Sequence, residues 1–302
     1  MPIDNNIGHS IYTASKQIGL SAIFSQHIAI VQQVLSKNKW ASKKYVYIDL
    51  YAGSGINQEE KCDGSPIIFL KSIQNKLDYE AHFIENDPGN FLFLQQAAAF
   101  VNSHYEYLGD NRDWLPKILQ TINTNSYGLV YADPNGLADF DMLSQITATH
   151  RFLDVLIYYP SAAAKRNGKS LDEYLKLIGK DCWIIQRPIG QWQWTFLFGT
   201  NYIDYKAWKK YGFLRLDDPC GQEIYKKLNY TNKELENIGQ LSFINPSISE
   251  QVFMRSGGLC ERCKNKPPSE IHHLSYKPPI EVPSNMLAVC HSCHWEIHGK
   301  LN

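Results

Sequence analysis

Residues 47–55 read YIDLYAGSG. Asp49 precedes Gly53 and Gly55 near the end of a β-rich run, 44–57, that closes in a small-residue turn. Glycines in such a turn let a backbone pass close to a ligand, and the helix predicted next, over 65–76, points its N-terminus at the same place. Working outward, YEAHFIEND (79–87) predicts a second strand with Glu85 at its end, and a helix follows near 90–103. YEYLGD (105–110) predicts a third strand ending in Asp110, YGLVYADPNG (127–136) a fourth carrying Asp133, and FLDVLIYYP (152–160) a fifth. Strands that alternate with helices build a parallel sheet covered on both faces, a doubly wound, Rossmann-like α/β fold. Acidic residues at the ends of four successive strands would meet along one sheet edge. In such folds an acid at the second strand end commonly bonds a ribose hydroxyl.

Upstream, GLSAIFSQHIAIVQQVLS (19–36) puts Ile23, Phe24, Ile28, Val31, Val34 and Leu35 on one helical stripe. Downstream, 181–202 holds Trp183, Trp192 and Trp194, and alternation over 191–196 predicts a half-buried strand. An aromatic surface for nucleobases is the alternative use of those rings. The apolar share of 44% supports a real core, and 30 basic against 30 acidic residues exclude attraction of a polyanion by net charge. No secretory pattern opens the chain and no long apolar run crosses it, so the expected compartment is the cytoplasm, where thiols stay reduced. Cys62, Cys182 and Cys220 read as ordinary buried thiols. Sparse apolar content over 236–250 marks a linker, and Ser247 with Glu250 has capping-box spacing ahead of a short helix. The expected organisation is an α/β domain over 1–240 and a second domain over 241–302.

With YIDLYAGSG, FIEND (83–87), YADPNG (131–136), FLFGTNY (196–202) and GQEIYKKLNY (221–230) in place, residues 8–232 resemble the S-adenosylmethionine-dependent methyltransferase fold, and more narrowly the three-Cys-motif partner family. The resemblance implies that Asp49, Gly53, Gly55, Glu85 and Asp110 line a nucleoside pocket for S-adenosylmethionine. Amino-methylating enzymes carry an acidic or Asn residue, two prolines and an aromatic at the fourth strand. This chain has Asp133-Pro134-Asn135-Gly136, without the second proline or the aromatic.

The tail raises a separate question. Cys260-x-x-Cys263 and Cys290-x-x-Cys293 offer four thiolates for one closed, structural zinc site. A segment this short cannot hold itself by apolar burial and should fold around its ion. His294 and His298 share a helical face one turn apart, whereas neighbours His272 and His273 point to opposite sides of a strand. His272, His294 and His298 are therefore expected on a second, catalytic divalent ion (Mg2+, Mn2+, Ni2+ or Zn2+), with His273 left to take a proton from water. Asn285 would brace the loop between the pairs. His291, inside the second knuckle, is the expected bystander.

CERC (260–263), EIHHLS (270–275) and SNMLAVCHSCHWEIH (284–298) resemble the HNH endonuclease family, with its ββα-metal fold. The resemblance implies His273 as general base, His272 and His294 as metal ligands, His298 as third ligand or phosphate contact, and Asn285 as the middle Asn. The expected activity is metal-dependent hydrolysis of DNA phosphodiester bonds, with the first domain recognising substrate or cofactor. The family setting suggests phage defence or a mobile element, and a partner protein. The alternative is a nucleic-acid methyltransferase whose zinc-binding tail only grips nucleic acid.

Overall fold

The computed structural model describes residues 13–38, 41–57, 61–134, 136–160, 171–186, 194–202, 206–229, 246–274 and 286–297. Two compact units emerge, one formed by 1–187 with 193–229 and the other by 188–192 with 230–302. Among the described residues no helix is long and apolar enough to cross a membrane.

In the first unit, strands β1 (Tyr45–Asp49), β4 (Tyr79–Glu85), β5 (His104–Leu108), β6 (Tyr127–Ala132), β7 (Leu153–Pro160), β8 (Cys182–Gln186), β9 (Trp194–Thr200) and β10 (Phe213–Arg215) form one sheet, while β2 (Ile56–Asn57) and β3 (Cys62–Asp63) form a separate small hairpin. The sheet order is β10-β8-β9-β7-β6-β1-β4-β5. From β7 to β5 all neighbours are parallel. The chain runs outward from β1 through β4 to β5, then returns to the other side of β1 as β6, so the direction of winding switches between β1 and β6. At the far end β9 lies antiparallel between β7 and β8, and β10 pairs antiparallel with β8. The parallel pattern gives way there. The connection 187–193 between β8 and β9 is too short for the crossover that parallel neighbours need.

The first unit's helices are α1 (Thr13–Lys37), α2 (Ser65–Ile73), α3 (Pro88–Ala98), α4 (Asn111–Thr121), α5 (Phe140–Thr149), α6 (Leu171–Ile178) and α7 (Pro219–Asn229). In α1, Leu20, Ile23, Phe24, Ile28, Val31 and Leu35 are buried as the stripe predicts, and Val34 is half-buried. Phe24 meets Tyr47, Phe69 and Tyr131 edge-on at 5.3, 5.9 and 6.0 Å. One fully buried phenylalanine contributes about 1.5–3 kcal/mol by apolar burial, so this contact anchors α1 to β1, α2 and β6.

Trp183 lies across Gly199, where a Cβ would come within 2.6 Å of the indole. Trp194 packs on Tyr158 and Phe196 at 5.4 and 5.8 Å. These two tryptophans therefore do sheet packing, while Trp192 falls outside the described residues. Of the single cysteines, Cys182 is buried and Cys62 half-buried, but Cys220 is exposed, against expectation, at the first turn of α7.

Gly128 of β6 sets how closely β1 and β6 approach. A Cβ there would sit 1.8 Å from the Val46 carbonyl oxygen. Gly128→Ala is expected to destabilise the sheet by about 3 kcal/mol or more, since backbone cannot yield as a side chain can. Urea denaturation of the two proteins measures it.

The second unit contains α8 (Pro246–Arg255), β11 (Glu270–His273), β12 (Met286–Val289) and α9 (His291–Ile297). β11 and β12 pair antiparallel, with His272 opposite Leu287 and His273 opposite Met286. Ser247 falls inside the first turn of α8, two residues later than a cap would stand. Its buried apolar groups make two small clusters, Val252, Met286 and Ala288, and Val289 with the cysteines.

Candidate functional site

The switch between β1 and β6 gathers the acids predicted from the sequence. Asp49 ends β1 and is fully buried. It accepts bonds from the Tyr47 hydroxyl at 3.0 Å and the Tyr51 N–H at 3.2 Å, and Ser65 at the start of α2 bonds it too. Burial outweighs these donors, and nearby Asp133 adds to it, so the Asp49 carboxyl is pushed up to about 7. Glu85 ends β4, and its two oxygens accept the N–H groups of Gly53 and Asp87, each at 2.7 Å. Asp110 follows β5 and caps α4 by accepting the Arg112 N–H at 2.8 Å. Asp133 follows β6 and accepts the Tyr131 hydroxyl at 2.9 Å.

The two glycines of the turn have different reasons. Gly53 has φ +64° with open space where a Cβ would project. That is room for a ligand beside a backbone only glycine adopts without strain. Gly55, at φ +74°, would place a Cβ 3.0 Å from the Ala97 Cβ and 3.2 Å from Leu94. Its absent side chain admits α3. Gly53, Glu85, Asp110 and Asp133 thus stand at one sheet edge, with Asp49 buried behind them. This donor set fits a nucleoside: a carboxylate for a ribose diol at the second parallel strand, and an open glycine turn beside it.

Sequence reasoning missed Lys16, Tyr47, Tyr131 and Tyr158 here. One signal was present: β1 and β6 both read Tyr-x-Asp at their ends (47–49 and 131–133), side by side at the switch. In each, the tyrosine hydroxyl donates to the aspartate two residues on.

In the second unit the Sγ atoms of Cys260, Cys263, Cys290 and Cys293 all lie within 4.8 Å of one another. Cys263 and Cys290 are 3.9 Å apart. Zinc–sulfur bonds of about 2.3 Å give tetrahedral edges of about 3.8 Å, so the four thiols fit a closed zinc site. Burial raises the Cys260 thiol, but N–H groups around its knuckle outweigh burial and bring it down to about 6. Cys293 is pushed up to about 12 by burial and by the other three sulfurs. A divalent cation relieves that crowding of like charge. The knuckles are braced by Arg255, which clamps Glu261 at 2.8 and 2.9 Å and the Met286 carbonyl at 2.6 Å. Arg262 reaches the Cys293 carbonyl at 3.0 Å.

Two of the described histidines of the tail converge on Glu270. His272 is buried, with its ring 5.3 Å from that of His294. His294 Nδ1 bonds a Glu270 oxygen, and His291 Nδ1 bonds the other at 2.5 Å. His291 is therefore a partner of Glu270. Glu270 carried no signal in the sequence reading, because a lone acid at a strand start marks nothing. His273 is described by its backbone alone, and Asn285 and His298 fall outside the described residues. Among the described residues the four cysteines are the one group able to hold a metal.

No family model matches this chain, and no curated protein does. Solved structures are similar to it. One is a Legionella pneumophila protein at 13% identity, covering 68% of this chain and 91% of that one, with TM-score 0.46. A second is human methyltransferase-like protein 13 in complex with SAH, at 12% identity, covering 68% and 87%, with TM-score 0.42. A third is M. jannaschii TYW2 in complex with AdoMet, at 13% identity, covering 64% and 75%, with TM-score 0.35. The chain has a mixed α/β, Rossmann-like fold built on a large, mostly parallel sheet, with a C-terminal four-cysteine cluster, as its own strand order and cysteine geometry define.

The expectation of an endonuclease is corrected. The solved structures that resemble the chain include methyltransferases and a putative transferase. Among the described residues, His272 and His294 belong to no group of three or more metal-ligating side chains.

Proposed function

We propose that this protein is an S-adenosylmethionine-dependent methyltransferase acting on nucleic acid, related to the three-Cys-motif partner family, with a zinc-organised tail that grips DNA or another nucleic acid. It would act in the cytoplasm, with a partner protein as a further expectation. The observation that carries the reading is Glu85 at the end of β4, 2.7 Å from the N–H of Gly53, beside the switch between β1 and β6.

When bound, S-adenosylmethionine supplies an electrophilic methyl group. Glu85 would accept the ribose hydroxyls, keeping the Gly53 turn against the nucleoside. Asp110, beside α4, would accept hydrogen bonds from the adenine edge. Asp133 lies on the acceptor side and would orient the nucleophile, accepting its N–H or O–H hydrogen.

Titration calorimetry with S-adenosylhomocysteine tests the cofactor half. Binding is expected, and Glu85→Ala should weaken it at least about tenfold, the scale of hydrogen bonds to a charged group. Transfer of labelled methyl to DNA or RNA oligonucleotides tests the other half and should be lost in Asp133→Ala. A parent protein that binds no S-adenosylhomocysteine would end the proposal.

A further inference from the structure

Lys16 lies in α1, far in sequence from the strands, yet its Nζ donates to Asp133 Oδ2 at 2.8 Å. The ammonium also stands 4.7 Å from the centre of the Tyr158 ring, in cation–π range. Tyr131 donates to the same Oδ2 from β6. Both donors therefore converge on one oxygen of Asp133, and among the described residues no bond to Oδ1 is formed. The pair is only part-buried, with side-chain exposures of 23% and 17%. It lies where β6 leaves the switch, next to Asp49 on β1 and Tyr158 on β7.

The charge balance at this place has a consequence for substrate choice. Asp49 and Asp133 sit on neighbouring strands, and Lys16 is the cation that reaches either of them among the described residues. A carboxylate exposed without a cation attracts protonated amines. A carboxylate already holding an ammonium does so far less, and can still accept a hydrogen bond through its other oxygen.

Building on the proposed methyltransferase reading, we propose that Lys16 is the specificity-determining residue at the acceptor edge. It supplies Asp133 with a built-in cation, so that the site admits an uncharged N–H nucleophile, such as the amino group of a nucleobase, and disfavours an aliphatic ammonium. Lys16 touches no reacting atom in this role and acts through Asp133.

Two ligands report on this charge directly. S-adenosylhomocysteine is uncharged at sulfur, whereas sinefungin carries an ammonium at the position of the transferred methyl. Calorimetry gives the ratio of their dissociation constants for the parent protein, Lys16→Met, Lys16→Arg and the double variant Lys16→Met with Asp133→Asn. Lys16→Met should shift the ratio toward sinefungin by about fivefold, the scale of one part-exposed charge pair. Lys16→Arg should keep the parent ratio, and Asp133→Asn combined with Lys16→Met should abolish the shift. A purely structural role for Lys16 would weaken both ligands together and leave the ratio unchanged, and that result overturns the inference while the cofactor reading stands. Failure of all the proteins to bind either ligand overturns both. Should Lys16→Met not fold, Lys16→Gln serves the same comparison.

Discussion

Zinc removal by a strong chelator is expected to unfold residues 246–297 while the large sheet stays folded. The described tail buries few apolar side chains outside its cysteines: Val252, Met286, Ala288 and Val289, with Phe253, Ile271, Leu287 and Ile297 half-covered. At about 0.8 kcal/mol per buried methylene, so small a set falls short of the conformational entropy of the segment. Structural zinc contributes on the order of 10–16 kcal/mol in small finger peptides. Cys260→Ser should reproduce the loss, because Cys260 is fully buried and its serine oxygen cannot replace a thiolate. Hydrogen exchange reads the outcome locally: amides of β11 and β12 should lose protection while those of β1 and β6 keep theirs. Retained protection in the tail after complete metal removal would show that the cysteines are not its keystone.

A second large effect concerns acidity. Asp49 is fully buried, and its carboxyl is pushed from an ordinary value near 3.8 up to about 7. Between those values the folded protein holds a proton that the unfolded chain has released. Stability at Asp49 is therefore greatest below about pH 4 and declines as pH rises toward 7. The shift corresponds to a penalty on the order of 4 kcal/mol above pH 7. Asp49→Asn, which stands in for the protonated acid, should flatten that decline and raise stability at pH 8 by about 2–4 kcal/mol. Urea midpoints for the two proteins at pH 5 and pH 8 test it. Parallel pH profiles would mean that Asp49 ionises in the fold at no cost.

Much of the first unit could be read from the chain because its signals are local. Asp49, Glu85 and Asp133 were placed at strand ends by runs of apolar residues that stop at acids, and the structure has them there. The stripe on α1 follows from side-chain spacing alone. What escaped depends on contacts distant in sequence. Lys16 meets Asp133 only because α1 crosses the strand ends, and nothing near residue 16 marks it. The antiparallel end of the sheet follows from the short 187–193 connection, which alternation of strand and helix did not weigh. That Gly55 also makes room for α3 was not legible, since a turn sequence cannot say what lies above each Cα. In the tail, cysteine spacing was decisive because two knuckles define a site by themselves. Histidine spacing was not, because Glu270 takes both His291 and His294.

The placement of α1 bears on how the chain is made. His27 of α1 packs against Phe198 and Trp208 at 5.6 and 6.4 Å and bonds Asp154 at 3.0 Å. Gln26 meets Tyr211, 185 residues further on. A ribosome adding about 5–20 residues per second needs roughly 10–40 s to cover that interval. For that time the Gln26–His27 stretch of α1 waits for its last partners while Phe24 settles on β1 and α2, and a nascent-chain chaperone would find its foothold at that stretch.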